Sequence, residues 1–188
     1  MIGLYGGSFD PPHLGHVAVA REAKERFGLE RLVILVSADP GHKRVETPAE
    51  ARLALARAAF PGEEVLLDEH ARTVDTLRAH PEWQDPLFLI GADEFCDFLS
   101  WKEPQEVLRL ARLGVATRPG YPRERLQSVL ERLEQPERVL FFEVEPLPLA
   151  SRELRRRFDP AGVPPGVADI VSSGGLYHGE DAGTLRGS

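Results

Sequence analysis

Apolar runs of strand length recur along the chain at residues 1–5, 31–37, 64–68, 87–91, 113–117 and 139–144. Between most of them, apolar positions return with helical spacing, at 17–27, 49–60, 74–80 and 123–133. Alternating strand and helix predicts right-handed βαβ units. The expected fold is therefore α/β, a doubly wound, mainly parallel sheet covered by helices on both faces. One helix start is signed in detail: Thr47 as N-cap, Pro48 at the first position and Glu50 three residues after the cap form a capping box. No internal repeat is visible. The 188 residues suit a single domain spanning 1–188, with the glycine-rich end, 179–188, expected to be a frayed tail.

In such a sheet, ligands bind beyond the carboxyl ends of the strands, near a topological switch point. Four polar segments follow predicted strands and can converge there: 6–16, 40–43, 91–93 and 118–120. The first is the most informative, Gly6-Gly7-Ser8-Phe9-Asp10-Pro11-Pro12-His13-Leu14-Gly15-His16. Glycines let a polyphosphate approach the main chain, and the two prolines stiffen the loop before a ligand arrives. His13 and His16 share one face of a first helical turn, where unpaired N–H groups and the macrodipole favour an anion. Imidazoles there can donate to phosphate oxygens as charge builds in a transition state, so phosphoryl or nucleotidyl transfer is the favoured chemistry. A plain glycine-proline loop with two surface histidines, or a partial metal site, is the bland alternative. No Cys or carboxylate stands at a spacing that would complete a metal site, and none is assigned.

The segment from Gly6 to His16 resembles the signature of the HxGH nucleotidyltransferases, and its form most resembles the bacterial nicotinate-nucleotide adenylyltransferases. The resemblance covers nearly the whole chain: Pro40-Gly41-His42-Lys43, Thr73-Val74-Asp75-Thr76-Leu77, Gly91-Ala92-Asp93 with Trp101, Arg118-Pro119-Gly120-Tyr121, Ser151 to Arg155, Val163-Pro164 and Leu176-Tyr177 are all similar to family elements. The sequence departs at Ala150 and Arg152, where Ser and Thr are usual, at Arg72, which replaces a Tyr before Thr73, and at Asp169, which replaces a Tyr before Ile170.

The resemblance implies a Rossmann-like nucleotidyltransferase fold and an enzyme that joins ATP to nicotinate mononucleotide, giving deamido-NAD and pyrophosphate in NAD biosynthesis. It implies His13, His16 and Arg155 as catalytic. Gly6, Gly7, Ser8, Phe9, Gly15, His42, Lys43, Asp93 and Ser151 would complete the ATP site, with Asp93 on a ribose hydroxyl. Thr73, Trp101, Lys102 and Arg118 would hold the mononucleotide: Trp101 as a platform for the pyridinium, backbone N–H groups near Thr73 and Lys102 for the pyridine carboxylate, Arg118 for the phosphate. Mg²⁺ would be held mainly through ATP phosphates. The rival readings are a pantetheine-phosphate adenylyltransferase, whose chains usually carry Thr where His13 stands, and a nucleotide-binding sensor without turnover.

Composition narrows partners and compartment. A net charge of −7 argues against general nucleic-acid binding, so the positive charge that anionic substrates need must be local. His13, His16, His42, Lys43, Arg44, Arg118, Arg152 and Arg155 supply it if the fold gathers them. The single cysteine, Cys96, reads as a small buried hydrophobe, and no stretch approaches a membrane span, so a cytoplasmic protein is expected. Homo-oligomerisation is admitted but not specified. The chain has 20 Arg against 3 Lys, no Asn and 16 Pro, a balance expected of a heat-adapted protein, although a GC-rich genome also drives Arg over Lys.

Overall fold

The computed structural model describes residues 1–40, 45 and 47–177. Six strands, β1 (Ile2–Gly7), β2 (Arg31–Ser37), β3 (Glu64–Asp68), β4 (Leu87–Gly91), β5 (Arg112–Thr117) and β6 (Val139–Glu143), form one sheet in the order β3-β2-β1-β4-β5-β6. Every neighbouring pair is parallel. The chain builds outward from β1 to β3, then crosses back to place β4 on the other side of β1. The switch point therefore lies at the carboxyl end of β1, where the glycine loop leaves the sheet. The α-helices are α1 (Leu14–Phe27), α2 (Ala49–Ala59), α3 (Thr73–Ala79), α4 (Ala92–Cys96), α5 (Pro104–Leu110), α6 (Arg123–Leu130), α7 (Ser151–Arg156) and α8 (Pro165–Gly174).

Period-two alternation along the strands sends successive side chains to opposite faces and makes two cores. On one face Leu32, Ile34, Val36, Leu87 and Leu89 pack with Ala56 of α2 and Val167 and Val171 of α8. On the other, Leu4, Val33, Leu35, Phe88, Ile90, Leu113 and Val115 pack with Phe95 of α4 and Val107 and Leu108 of α5. The single-domain, doubly wound expectation matches this architecture. Among the described residues no helix is long and apolar enough to cross a membrane.

Several local expectations shift. β1 runs two residues further than the apolar pattern indicated, so Gly6 and Gly7 are its last rungs, paired with Leu35 and Val36. Helix α1 starts at Leu14 and α6 ends at Leu130, shorter than its periodicity suggested. The capping box at α2 does not form. Pro48 occupies the cap position, and its carbonyl accepts the first helical bond, from the Arg52 N–H. Thr47 lies outside the helix, buried, with its carbonyl taken by the Arg52 side chain. Cys96 is half-buried rather than enclosed, with Sγ 3.4 Å from the Tyr121 hydroxyl. The expected tail at 179–188 lies outside the described residues.

Candidate active site

The glycine loop rests on aromatic rings. A Cβ on Gly7 would stand 3.0 Å from the Phe9 ring, and one on Gly6 would stand 3.2 Å from the Phe88 ring. A side chain at either position would crowd these rings, a reason for glycine additional to the approach of a ligand from above. Phe9 turns through a left-handed conformation, φ 48°, that costs a bulky residue about 1–3 kcal/mol. Edge contacts with Tyr5 at 5.7 Å, Phe60 at 5.6 Å and His16 at 5.2 Å hold it there. Phe9 is 1% exposed and lines neither of the two cavities described below, so its side chain props the loop from beneath and any ligand contact here falls to the main chain.

His13 is the N-cap of α1 and His16 the third residue of its first turn. The backbone N–H of His13 donates to Nδ1 of His16 at 3.1 Å. That bond fixes the tautomer: with Nδ1 accepting, the neutral His16 ring carries its hydrogen on Nε2, and the ring lines a cavity. The two imidazoles lie 3.8 Å apart, and the His13 ring folds over Gly15, where a Cβ would be 3.0 Å away. Burial lowers the His13 pKa from 6.5 to about 4. His13 is therefore neutral at pH 7 and leaves the cationic cluster in which the sequence placed it. Its Nδ1 is buried with no partner among the described residues. No acidic residue stands in the first turn of α1, so the helix's positive end is not neutralised from within.

Helix α7 closes the loop from the other side. Ser151 Oγ donates to the Pro11 carbonyl at 2.9 Å, and Arg155 Nη1 donates to the Asp10 carbonyl at 2.7 Å. Between α7 and β1 opens a cavity of about 730 Å³, lined by Gly6, Gly7, Ser8 and His16 with Ser151, Arg152, Arg155 and Arg156. Three arginines, an imidazole and a helix N-terminus face one carboxylate there, Glu94. This basic chamber suits a polyphosphate.

A second cavity of about 680 Å³ opens on the opposite side of β1 and shares Gly6, Gly7, Ser8 and Glu94 with the first. Its wall combines Trp101, Phe88 and Ile90 with Thr73, Lys102, Arg72, His70 and four carboxylates, Asp68, Asp93, Glu94 and Asp97. The Trp101 ring is half-buried and braced edge-on by Phe98 at 5.3 Å and Phe88 at 6.4 Å. Lys102 Nζ is paired with both Asp75 oxygens at 3.0 Å. An aromatic shelf among carboxylates suits a cationic heteroaromatic ring.

The structure thus gathers Gly6, Gly7, Ser8, His16, Ser151 and Arg155 around one cavity and Thr73, Trp101 and Lys102 around the other. Asp93 falls on the Trp101 side, where it accepts from the Tyr121 hydroxyl at 2.8 Å, and does not line the cavity that holds Ser151 and Arg155. Arg118 lines neither cavity; its guanidinium lies 5.7 Å over the Tyr121 ring, because the turn after β5 carries it outward onto that aromatic face. His42 and Lys43 lie outside the described residues. Sequence reading passed over Arg52, Asp68 and His70, and it noted Tyr177 and Thr76 only as family-like positions without a partner. The Tyr177 hydroxyl donates to the fully buried Asp10 at 2.5 Å. Asp68 accepts from Thr76 Oγ1 at 2.7 Å and lies 3.1 Å from His70 Nδ1. Arg52 left a trace: it interrupts the apolar stripe Ala49, Leu53, Ala56, Ala59 of α2 at a position that faces the core.

A family model described as cytidylyltransferase-like matches residues 4–157. A probable nicotinate-nucleotide adenylyltransferase of Rubrobacter xylanophilus is 34% identical, over 99% of this chain and 95% of its own. One from Thermus thermophilus is 38% identical, over 94% and 98%. Among solved structures, a Plasmodium falciparum nicotinic acid mononucleotide adenylyltransferase complexed with NaAD superposes with a TM-score of 0.73 at 19% identity, covering 94% of this chain and 96% of that one, which shows a shared fold. With its parallel sheet, its loop at the switch point and relatives matched along almost their full length, the chain belongs to the cytidylyltransferase-like family and, within it, to the nicotinate-nucleotide adenylyltransferases.

Proposed function

We propose that this protein transfers the adenylyl group of ATP to nicotinate mononucleotide, giving deamido-NAD and pyrophosphate. One observation carries the reading: a basic cavity and an aromatic, carboxylate-lined cavity meet at Gly6, Gly7, Ser8 and Glu94, at the carboxyl end of β1. Two substrates seated on either side meet at that seam. A phosphate oxygen of the mononucleotide attacks the α-phosphorus of ATP, the new O–P bond forms, and the bond to the β-phosphate oxygen breaks as pyrophosphate leaves. A phosphomonoester with its second pKa near ~6 is already ionised at pH 7, so the attack needs no general base. Catalysis is positioning and charge stabilisation.

His16, its tautomer set by the His13 N–H, donates through Nε2 to the α-phosphoryl oxygens. His13, kept neutral by burial, packs beside it as a polar donor without net charge. Arg155 and Ser151, anchored on the Asp10 and Pro11 carbonyls, present the basic wall to the β- and γ-phosphates. Trp101 stacks on the pyridinium, and backbone N–H groups near Thr73 and Lys102 meet its carboxylate; donors lacking an acceptor favour acid over amide. Among the described residues no group of three or more His, Cys, Asp or Glu could cage a metal. A divalent cation, Mg²⁺, would be held mainly through the phosphates of ATP and would supply charge neutralisation there. The setting we assign is cytoplasmic, with small-molecule substrates and no nucleic-acid partner.

The test is pyrophosphate release from ATP and Mg²⁺ with each acceptor offered separately. Nicotinate mononucleotide should turn over faster than nicotinamide mononucleotide. Equal rates with the amide, or turnover only with phosphopantetheine, would remove the assignment.

A further inference from the structure

Arg52 is 1% exposed, among the largest fully buried side chains of the protein, and lies on the inner face of α2. Its guanidinium serves four backbone carbonyls. Nε donates to Thr47 at 3.0 Å, Nη1 to Ser8 at 2.8 Å and to Ser37 at 2.7 Å, and Nη2 to Ala38 at 3.2 Å. The β1–β2 ladder ends with Gly7 opposite Val36. Ser8 and Ser37 are the next residues on each strand, so the guanidinium takes over where the ladder stops and ties the two diverging chains together. Both tied residues matter to the site: Ser8 lines both cavities, and Ser37 lines the one that contains Trp101.

Such a fork cannot be a generic core filler. A buried cation is costly unless every N–H finds a partner, and an aliphatic residue would leave several strand-end carbonyls unpaired. We propose, on the functional reading given above, that Arg52 is a positioning residue for adenylyl transfer, setting the distance between the two half-sites by pinning the Ser8 loop to the end of β2. Each half-site retains its own contacts without Arg52. What is lost is the alignment of the mononucleotide phosphate with the α-phosphorus.

The test compares Arg52→Lys and Arg52→Met with wild type in steady-state turnover of ATP, Mg²⁺ and nicotinate mononucleotide, with thermal melts and binding titrations of each substrate alone. An ammonium retains the charge but cannot bridge Ser8, Ser37, Ala38 and Thr47 in one plane. The expected result is a kcat lowered roughly 10-fold or more in both variants, since small misplacement of reacting groups is expensive, while the Kd of each substrate alone moves by less than about threefold. Wild-type kcat per folded molecule in Arg52→Lys, with only a lower melting temperature, would overturn the positioning role. So would weakened binding of both substrates with kcat unchanged, and failure of both variants to fold would assign Arg52 to the scaffold alone. Wild-type turnover in the same assay tests the functional reading, whereas the ratio of variant to wild type tests Arg52.

Discussion

Acidification should strike the glycine loop through His13. The residue is 9% exposed, and burial brings its pKa from 6.5 to about 4 in the folded protein. A group whose folded pKa is depressed leaves stability intact above its unfolded value; as pH falls below 6.5 the unfolded chain gains a proton that the folded one refuses, and stability drains away until about pH 4. A tenfold difference in proton affinity is worth about 1.4 kcal/mol, so the full loss is about 3 kcal/mol, and about 2 kcal/mol is already gone at pH 5. That is a sizeable part of a domain stability of about 5–15 kcal/mol. Urea denaturation of wild type and His13→Gln at pH 7 and pH 5 measures it, because glutamine does not titrate in this range and the carboxylates common to both proteins cancel. Wild type should lose about 2 kcal/mol more than His13→Gln between the two pH values. Equal losses, or an NMR titration of the His13 imidazole with its midpoint above pH 6, would refute the reasoning.

Two further outcomes are expected. His16→Ala should lower kcat by roughly 10²-fold or more, the range for a lost oxyanion-type donor, with smaller effects on KM; unchanged kcat in folded protein would exclude His16 from catalysis. Trp101→Ala should raise KM for the mononucleotide by roughly 10-fold, by analogy with base–aromatic stacking, with ATP little affected and part of the loss recovered in Trp101→Phe. A lower melting temperature with both substrates weakened together would instead identify the indole as core.

Much of this protein was legible before folding. Apolar runs separated by helical periods determine a parallel sheet with two covered faces, because period two and period 3.6 can each be satisfied in only one kind of element. Gly6 to His16 pointed to an anion site, and Gly6, Gly7, Ser8 and His16 do line the basic cavity, because glycine, proline and histidine each act locally and the histidine pair needs only the first turn of a helix. Trp101 and Arg155 were singled out only through family resemblance, since neither spacing nor periodicity distinguishes a shelf from a core aromatic. What only the tertiary structure decided is long-range. Arg118 turned away onto Tyr121, Asp93 joined the Trp101 side, and Phe9 went beneath the loop instead of into the cavity. Arg52 found four carbonyls from segments 5 to 44 residues away in sequence, and Tyr177 reached Asp10 across 167 positions. The physical reason is common to them all: a side chain's local pattern fixes which face of its element it leaves from, but its partner is set by which distant backbone groups the sheet order brings there still unpaired.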